Sequence, residues 1–251
     1  MPEERLAFEL ERSWLSETER QRVRRFHFLK DQRRALASRQ FMRGVLGTHV
    51  GAAPESLEFS IGTYGKPVLA HFPGVHFNLS HSGNVIALAV SNTPDTLKLG
   101  CDIEIFRSDR DDHRLVNRFF SIREKAQFAA PGQAPLHAQL DFYQLWTLKE
   151  AFTKALGSGL NLALDRFGFE MSPTGTLEFH CDDDLDVGPQ PWSFASYRDH
   201  DNLTLGLAFQ SESGHSAFHW HEYVSLIKNN DQIIQPLSAS SMPSLLACSK
   251  R

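Results

Sequence analysis

Cysteine is scarce in this chain: 3 residues among 251, and Cys101, Cys181 and Cys248 stand far apart. No C-x-x-C pair occurs, which argues against a disulfide framework and against a structural zinc site. Long apolar runs are also missing, because no stretch approaches the roughly 18–20 consecutive apolar residues of a membrane span. The first residues carry no apolar segment of the kind found in signal peptides. These absences predict a cytoplasmic protein that does not associate with membranes.

Basic residues are concentrated in one segment of a chain whose net charge is −4. From Arg20 to Arg43, 9 basic residues stand against one acid, Asp31. This asymmetry predicts an anionic partner. Because arginine binds phosphate oxygens through bidentate hydrogen bonds, a phosphate site is the functional hypothesis. A solvated helix face is the alternative.

The hydrophobic patterns predict helices followed by strands, twice over. We expect a helix capped at Ser16 or Thr18, and a second helix from about Asp31 to Leu46. Strands follow within 57–105, and a second antiparallel set lies within 167–209. The order is typical of an α+β fold with two similar halves, each a small antiparallel sheet packed with helices.

We place these halves at 1–99 and 100–228. The segment 229–251 is rich in Ser, Asn and Pro and is predicted to be a flexible tail.

A predicted hairpin, with its turn at Gly83-Asn84, concentrates polar side chains. By the two-residue period of a strand, Asn78, Ser80 and Ser82 share one face, and His81 points the other way. Hydrogen-bond donors grouped in this way suit an anionic ligand. A polar histidine without a ligand is the alternative.

The following strand, residues 97–105, alternates in the same way. Asp102 and Glu104 face one side, and Cys101 and Ile103 face the other. Two carboxylates this close repel each other unless a cation lies between them or one is protonated. Magnesium typically binds one or two carboxylates and completes its shell with water and phosphate oxygens. The pair therefore suggests a magnesium site, with solvated edge positions as the alternative.

The stretch from Trp146 to Leu160 is the centre of the sequence pattern. Its apolar residues recur at spacings of three and four: Leu145, Leu148, Phe152 and Leu156. Glu150 and Lys154 lie one turn apart on another face. An ordinary solvated ion pair is the alternative for these two residues.

Five motifs occur in the order found in one enzyme family: Gly65-Lys66-Pro67, Phe77-Asn78-Leu79-Ser80-His81-Ser82, Gly100-Cys101-Asp102-Ile103-Glu104, Phe119-Phe120-Ser121-x-x-Glu124, and Trp146-x-x-Lys149-Glu150-Ala151-x-x-Lys154-x-x-Gly157-x-Gly159-Leu160. In these motifs, which lie within about 22–160, the chain resembles the 4′-phosphopantetheinyl transferases of the larger, monomeric, Sfp type.

The resemblance implies two pseudosymmetric α+β halves and a monomer. It also implies a reaction: the phosphopantetheine arm of coenzyme A moves to a serine of an apo acyl, peptidyl or aryl carrier protein, and adenosine 3′,5′-bisphosphate is released. Carried over by motif, Asp102, Glu104 and Glu150 are the expected Mg²⁺ ligands. Glu150 is the expected base for the carrier serine, and Lys154 is expected to reach the diphosphate.

The resemblance assigns the phosphates of coenzyme A to Lys154 and to five further side chains: Arg22, Arg33, Lys66, Ser80 and His81. Arg22 falls at a basic position that the family uses for the 3′-phosphate. The chain departs from the family pattern at Glu19, which replaces a second basic residue and for which Arg33 is the expected substitute. It also departs at Cys101, where the family usually has an aliphatic residue.

Two other classes of function are compatible with parts of the pattern. A Mg²⁺-dependent phosphohydrolase could use the same three carboxylates, although it would not obviously need the basic segment. A non-catalytic protein could bind coenzyme A or a nucleic acid through Arg20–Arg43. The confined basic run, the negative net charge and the lack of an aromatic-rich strand platform argue against nucleic acid.

Overall fold

The computed structural model describes residues 2–11, 13–62, 65–107, 112–129, 140–157, 162–172, 176–198, 203–212, 219–228, 231–241 and 246–249, with only the backbone described from 219 onward. Gly159 and Leu160, the end of the last motif, lie outside these ranges. The helices are α1 Pro2–Glu11, α2 Glu17–Arg24, α3 Leu29–Val50, α4 Asp112–Phe119, α5 Ile122–Ala129 and α6 Phe142–Leu156. The strands are β1 Phe59–Ile61, β2 Pro67–Leu69, β3 His76–Ser82, β4 Val85–Ser91, β5 Thr96–Ile105, β6 Phe167–Met171, β7 Leu177–Cys181, β8 Trp192–Arg198, β9 Leu203–Ser211, β10 His219–Lys228, β11 Asp231–Ser241 and β12 Leu246–Ser249.

The chain divides into two compact units. The first comprises Met1–Ser60, Leu69–Pro73 and Phe218–Ser241, and the second comprises Ile61–Val68, Gly74–Ala217 and Met242–Arg251. The predicted boundary at residue 99 and the predicted flexibility of 229–251 stay predictions. Among the helices that the structure describes, none combines the length and apolar character needed to cross a membrane.

Small antiparallel sheets and helices make up the second unit, which confirms the predicted α+β class. Its largest sheet has the strand order β12-β8-β9-β5, and β3–β4 and β6–β7 form two-stranded pairs. The predicted hairpin turn at Gly83-Asn84 joins β3 and β4. In the first unit, β10 pairs with β11.

Helix α3 is longer than predicted, because it continues past Leu46 to Val50. The terminating glycine is Gly51, whose φ of 69° places it in the left-handed region that favours glycine. Gly47 lies inside the helix, where a Cβ would come within 2.7 Å of the Ala52 carbonyl oxygen. This glycine therefore allows the chain to fold back closely after the helix rather than ending the helix.

Aromatic side chains fill the core beneath α6. Phe152 is fully buried, and its ring centroid lies 4.8 Å from those of Phe167 and Trp192 and 5.0 Å from that of Phe179. The predicted apolar stripe is confirmed at Leu145, Leu148 and Phe152, which are 0% exposed. Burying such side chains contributes roughly 1.5–3 kcal/mol each, which holds α6 on the sheet.

Glycines allow α6 to lie directly on β5 and β9. A Cβ on Gly100 would collide with the Ala151 carbonyl oxygen and would come within 2.5 Å of the Ala155 nitrogen. A Cβ on Gly206 would lie 2.6 Å from the Leu148 nitrogen. The obstructing atoms belong to backbone, which cannot rotate out of the way. The helix therefore contacts the strands at a distance that only glycine permits.

A fully buried ion pair connects α6 to α5. The Lys149 ammonium donates to Glu124 Oε2 at 2.6 Å and to the Phe167 carbonyl oxygen at 2.5 Å, and both charged side chains are 0% exposed. Glu124 Oε2 also accepts from the Ser121 N–H at 2.8 Å, and the Glu124 N–H donates to Ser121 Oγ at 3.3 Å, so the two residues form a capping box at the start of α5. Glu124 Oε1 accepts from the Phe169 N–H at 3.1 Å. The pair therefore joins α5, α6 and β6.

We predict that Gly100→Ala destabilises the protein by about 3 kcal/mol or more, because the new methyl group overlaps helix backbone. Denaturant unfolding of wild type and variant measures the difference. Gly74→Ala is the matched control, since a Cβ there meets no atom within 4 Å. It should change the free energy of unfolding by less than about 0.5 kcal/mol. Equal stability of Gly100→Ala and the control would disprove the close approach of α6.

We also predict that Lys149→Met lowers the free energy of unfolding by about 3–5 kcal/mol, because it leaves the buried Glu124 carboxylate without its cation. Arg24→Gln serves as the control. Arg24 pairs with Glu11 and Glu17 on the surface, so its loss should cost less than about 1 kcal/mol. A cost for Lys149→Met as small as that of the control would show that the pair is not buried.

Candidate active site

The two carboxylates predicted to face one side of β5 do so. Asp102 accepts a hydrogen bond from Ser80 Oγ at 2.7 Å, and Glu104 accepts one from Ser82 Oγ at 2.8 Å. Cys101 lies on the other face and is 1% exposed. Burial raises the pKa of its thiol to about 11, so the residue is a protonated, apolar group at neutral pH. With Cys101 in place of the family's usual aliphatic residue, this buried face of β5 thus remains apolar.

Helix α6 brings Glu150 and Lys154 to the same place. The Lys154 ammonium donates to Asp102 Oδ1 at 2.6 Å and to Ser80 Oγ at 2.9 Å. Burial raises the pKa of the Glu150 carboxyl, and the negative charges of Asp102 and Glu104 raise it further, while Lys154 lowers it. The three carboxylates are therefore electrostatic neighbours. Lys154 pairs with Asp102 on β5. The alternative considered from the sequence, a solvated pair of Glu150 and Lys154, did not include this contact.

These carboxylates fit a hard cation. Asp102 Oδ2 is buried and has no hydrogen-bond partner among the described residues. An unpaired buried carboxylate oxygen is costly, and a cation is one means of satisfying it. Carboxylate oxygens are the donors that Mg²⁺ prefers. As the side chains stand, no group of three or more His, Cys, Asp or Glu residues in the described ranges is arranged to hold a metal ion.

Lys66 lies beside β5 and the last turn of α6. Its ammonium donates to the Leu99 carbonyl oxygen at 2.8 Å and to the Lys154 carbonyl oxygen at 3.4 Å. Burial lowers the pKa of Lys66 to about 8, and Lys98 also lowers it. Carbonyl groups in the last turn of a helix have no helical partner, and a cation there is favourable. Its predicted contact with coenzyme A stays a prediction.

Two histidines on β3 differ in their surroundings. His81 is exposed and, by strand alternation, lies on the face opposite to Ser80 and Ser82. His76 was missed by the sequence analysis. Burial lowers the pKa of its imidazole, and the charge of Lys66 lowers it further. Ser80 and Ser82 therefore contact the carboxylates, whereas His81 lies on the opposite face of β3.

The predicted arginines Arg22 and Arg33 lie in the first unit, where both are exposed on α2 and α3. Arg39 was not singled out in the sequence. Burial lowers the pKa of its guanidinium, and the charges of Arg22 and Arg43 lower it further, while Glu19 raises it. The effect of these charges on Arg39 shows that the guanidinium groups of Arg22, Arg39 and Arg43 are neighbours. The spacing of four between Arg39 and Arg43 could have placed them on one helix face.

Glu19 takes part in the internal structure of this unit. Its carboxylate accepts from Arg43 at 2.6 and 3.0 Å, and both side chains are less than 10% exposed. The same guanidinium donates to the carbonyl oxygens of Pro54 and Leu57 at 2.7 and 3.0 Å. Glu19 also completes a capping box with Ser16, which confirms the helix start predicted there. The departure from the family pattern at Glu19 thus has a structural explanation.

From the sequence, Ser82 was placed on the polar face of β3 but not beside Glu104, and Lys149 was given no role. Ser82 follows Ser80 by two residues, as Glu104 follows Asp102, and this parallel spacing could have indicated one serine for each carboxylate. Lys149 follows Leu145 by four and precedes Phe152 by three, so its position on the apolar stripe could have indicated burial.

Comparison with known families covers most of the chain. Residues 98–208 match the model of the 4′-phosphopantetheinyl transferase superfamily, and residues 2–93 match that of the 4′-phosphopantetheinyl transferase N-terminal domain. Two successive matches fit a fold of two halves.

Individual relatives agree with these matches. A 4′-phosphopantetheinyl transferase of Bacillus subtilis is 34% identical over 186 residues, 73% of this chain and 76% of the relative. The transferase Sfp of Bacillus subtilis is 33% identical over 68% of this chain and 73% of its own length. The transferase HetI of Nostoc sp. is 32% identical over 82% of this chain and 83% of its own length. These matches confirm the resemblance seen in the motifs, and the chain belongs to the 4′-phosphopantetheinyl transferase family.

Proposed function

We propose that this protein transfers the 4′-phosphopantetheine arm of coenzyme A to a serine of an apo acyl, peptidyl or aryl carrier protein, in a Mg²⁺-dependent reaction that releases adenosine 3′,5′-bisphosphate. Membership of the family supports the reaction. One observation supports the proposed site. Where α6 lies on β5, four charged side chains are neighbours: Asp102, Glu104, Glu150 and Lys154.

In this proposal Asp102, Glu104 and Glu150 hold the magnesium ion, which when bound neutralises negative charge on the diphosphate. Asp102 Oδ2, buried without a hydrogen-bond partner in the described part of the chain, supports that role. The same carboxyl group now holds the Lys154 ammonium. A cation at Asp102 would compete with Lys154, and a displaced Lys154 would be available to the diphosphate as a point charge.

The proposed chemical step uses Glu150 as the base. Its carboxylate takes the proton of the carrier serine hydroxyl, and the serine oxygen attacks the phosphorus that bears the pantetheine. The bond from that phosphorus to the bridging diphosphate oxygen breaks, and the electron pair leaves with adenosine 3′,5′-bisphosphate. Burial and two neighbouring carboxylates raise the pKa of Glu150. A carboxylate with a raised pKa accepts a proton more readily near neutral pH.

Binding of coenzyme A is assigned to six side chains that carry positive charge or a hydroxyl group: Arg22, Arg33, Lys66, Ser80, His81 and Lys154. The neighbouring positive charges of Arg22 and Arg39 support an anion site in the first unit. We further propose that the protein acts in the cytoplasm as a monomer. The free thiol of Cys101 suits a reducing compartment.

The reaction is tested by intact-mass spectrometry of apo carrier proteins incubated with this protein, coenzyme A and Mg²⁺. We expect the carrier mass to increase by one phosphopantetheinyl unit, and EDTA to prevent the increase. Release of inorganic phosphate without any mass gain would instead identify the alternative, a phosphohydrolase. Binding of coenzyme A with no gain on any carrier type would identify a non-catalytic protein.

We predict that Glu150→Gln lowers the transfer rate by at least about a hundredfold, because it removes both the base and a metal ligand. Since Glu150 is a half-buried carboxyl with a raised pKa, the neutral amide should not lower the melting temperature. Glu178→Gln, which changes an exposed carboxylate on β7, is the control and should keep full activity. Near-normal turnover of Glu150→Gln would remove both assigned roles.

We predict that Arg22→Ala and His81→Ala each raise the dissociation constant of coenzyme A roughly tenfold but that of 3′-dephospho-coenzyme A much less, because a contact with the 3′-phosphate is lost. Calorimetric titration of both ligands measures the difference. Arg24→Ala, which alters an exposed arginine on the same helix as Arg22, should leave both constants unchanged. Equal losses for the two ligands would reject the 3′-phosphate assignment.

A further inference from the structure

Side chains of β3 take the place of a backbone ladder along the free edge of β5. The pairings of the described strands join β5 to β9 and β3 to β4, and none joins β3 to β5. Three N–H groups on this edge are nevertheless satisfied: Cys101 N by Asn78 Oδ1 at 2.9 Å, Ile103 N by Ser80 Oγ at 3.4 Å, and Ile105 N by Ser82 Oγ at 3.2 Å. The spacing of two on both strands produces this regular side-chain ladder.

Each serine of the ladder also donates to a carboxylate. The Ser80 hydroxyl donates to Asp102 at 2.7 Å, and the Ser82 hydroxyl donates to Glu104 at 2.8 Å. Each hydroxyl therefore links a backbone N–H of β5 to the carboxylate one residue before it. Because the N–H is part of the strand, the hydroxyl holds its carboxylate in a fixed relation to the backbone.

The Ser80 hydroxyl has no remaining capacity for a ligand in this arrangement. A hydroxyl group offers one donor and two acceptor lone pairs. Ser80 donates to Asp102 and accepts from Ile103 N and from Lys154 Nζ. The residue is also 6% exposed. These contacts show Ser80 serving the carboxylates, and its proposed contact with coenzyme A would require a partner such as Lys154 to leave the hydroxyl.

We propose that Ser80 and Ser82 are positioning residues that orient Asp102 and Glu104 for the metal ion. A glutamate side chain has several staggered rotamers, and fixing one of them before the ion binds lowers the entropy cost of binding. A donor to one carboxylate oxygen also leaves the other oxygen available to the ion, as Asp102 Oδ2 is. This inference rests on the proposed function and names residues that support its metal site.

Ser82 provides the cleaner test, because Ser80 also contacts Lys154. Ser82→Thr and Ser82→Val have nearly the same shape and differ in the hydroxyl group alone, and both suit a strand. Ser82→Ala removes the hydroxyl without adding bulk and replaces Ser82→Val if branching disturbs β3. Ser91→Ala is the matched control, since Ser91 is a half-buried serine of the same hairpin that bonds to Thr93 and Thr96 instead.

Two readouts are compared. The first is the Mg²⁺ concentration that gives half-maximal transfer, together with the KM for coenzyme A at saturating Mg²⁺. The second needs no turnover: Mn²⁺ binding, followed by the EPR signal of the free ion, with coenzyme A present and carrier protein absent. We expect Ser82→Val to weaken both metal measures roughly tenfold, and Ser82→Thr to retain them. The KM for coenzyme A should change by less than about twofold.

A second arm asks whether Ser82 acts through Glu104. In a Glu104→Gln background, Ser82→Val should produce no further loss of Mn²⁺ affinity, because the carboxylate that it orients is already absent. A full additional loss in that background would overturn the inference.

The remaining outcomes separate this inference from the proposed function. If wild type transfers phosphopantetheine and Ser82→Val behaves like Ser91→Ala, the proposed function stands and the positioning role is wrong. A raised KM for coenzyme A with unchanged metal dependence would also overturn it, by showing that the hydroxyl contacts the substrate. Absence of both transfer and Mn²⁺ binding in wild type would overturn the proposed function itself.

Discussion

The contact of bare backbone between α6 and the β5–β9 strand pair is the constraint on which the site depends. Gly100 and Gly206 provide no side chains at the crossing, so the helix axis lies closer to the strands than a Cβ would allow. Gly206 is the register partner of Asp102. The close approach is therefore made beside the first carboxylate, and it brings Lys154 within 2.6 Å of Asp102. A helix held further out would separate these charges.

The same helix also carries a buried ion pair that fixes how it is rotated toward the site. Lys149 is fully buried against Glu124 and aromatic rings, and its ammonium lies 4.5 Å from the centroid of Phe167. A buried pair contributes little net stability compared with apolar packing, but it tolerates few alternative arrangements. Glu150 follows directly and turns by about 100° around the helix axis, toward the carboxylates. Fixing Lys149 thus also fixes the rotation of α6 that presents Glu150.

The basic segment of the sequence contains both a buried arginine and exposed arginines in the first unit. Arg43 is 2% exposed and joins α2, α3 and the chain after α3 through Glu19, Pro54 and Leu57. Arg22 and Arg33 are exposed on the surface of this unit. Counting charges could not separate the buried arginine from the exposed ones, since they look alike in a sequence. The Glu19 carboxylate and the two carbonyl groups around its guanidinium identify Arg43 as a structural residue.

The sequence by itself determined the strands within 57–105 and 167–209, the hairpin, the capped start of α2 and the carboxylate face of β5, because all of these follow from local periods and caps. Its motifs also determined the family. The predicted end of α3 at Leu46 was wrong. Gly47 lies inside the helix, where it makes room for the chain that folds back after the helix. Only the tertiary structure decided that Lys154 pairs with Asp102, that Lys149 is buried, and that Ser80 and Ser82 each serve a carboxylate. These are contacts between residues 22 to 52 positions apart, and no local pattern encodes which distant side chains meet.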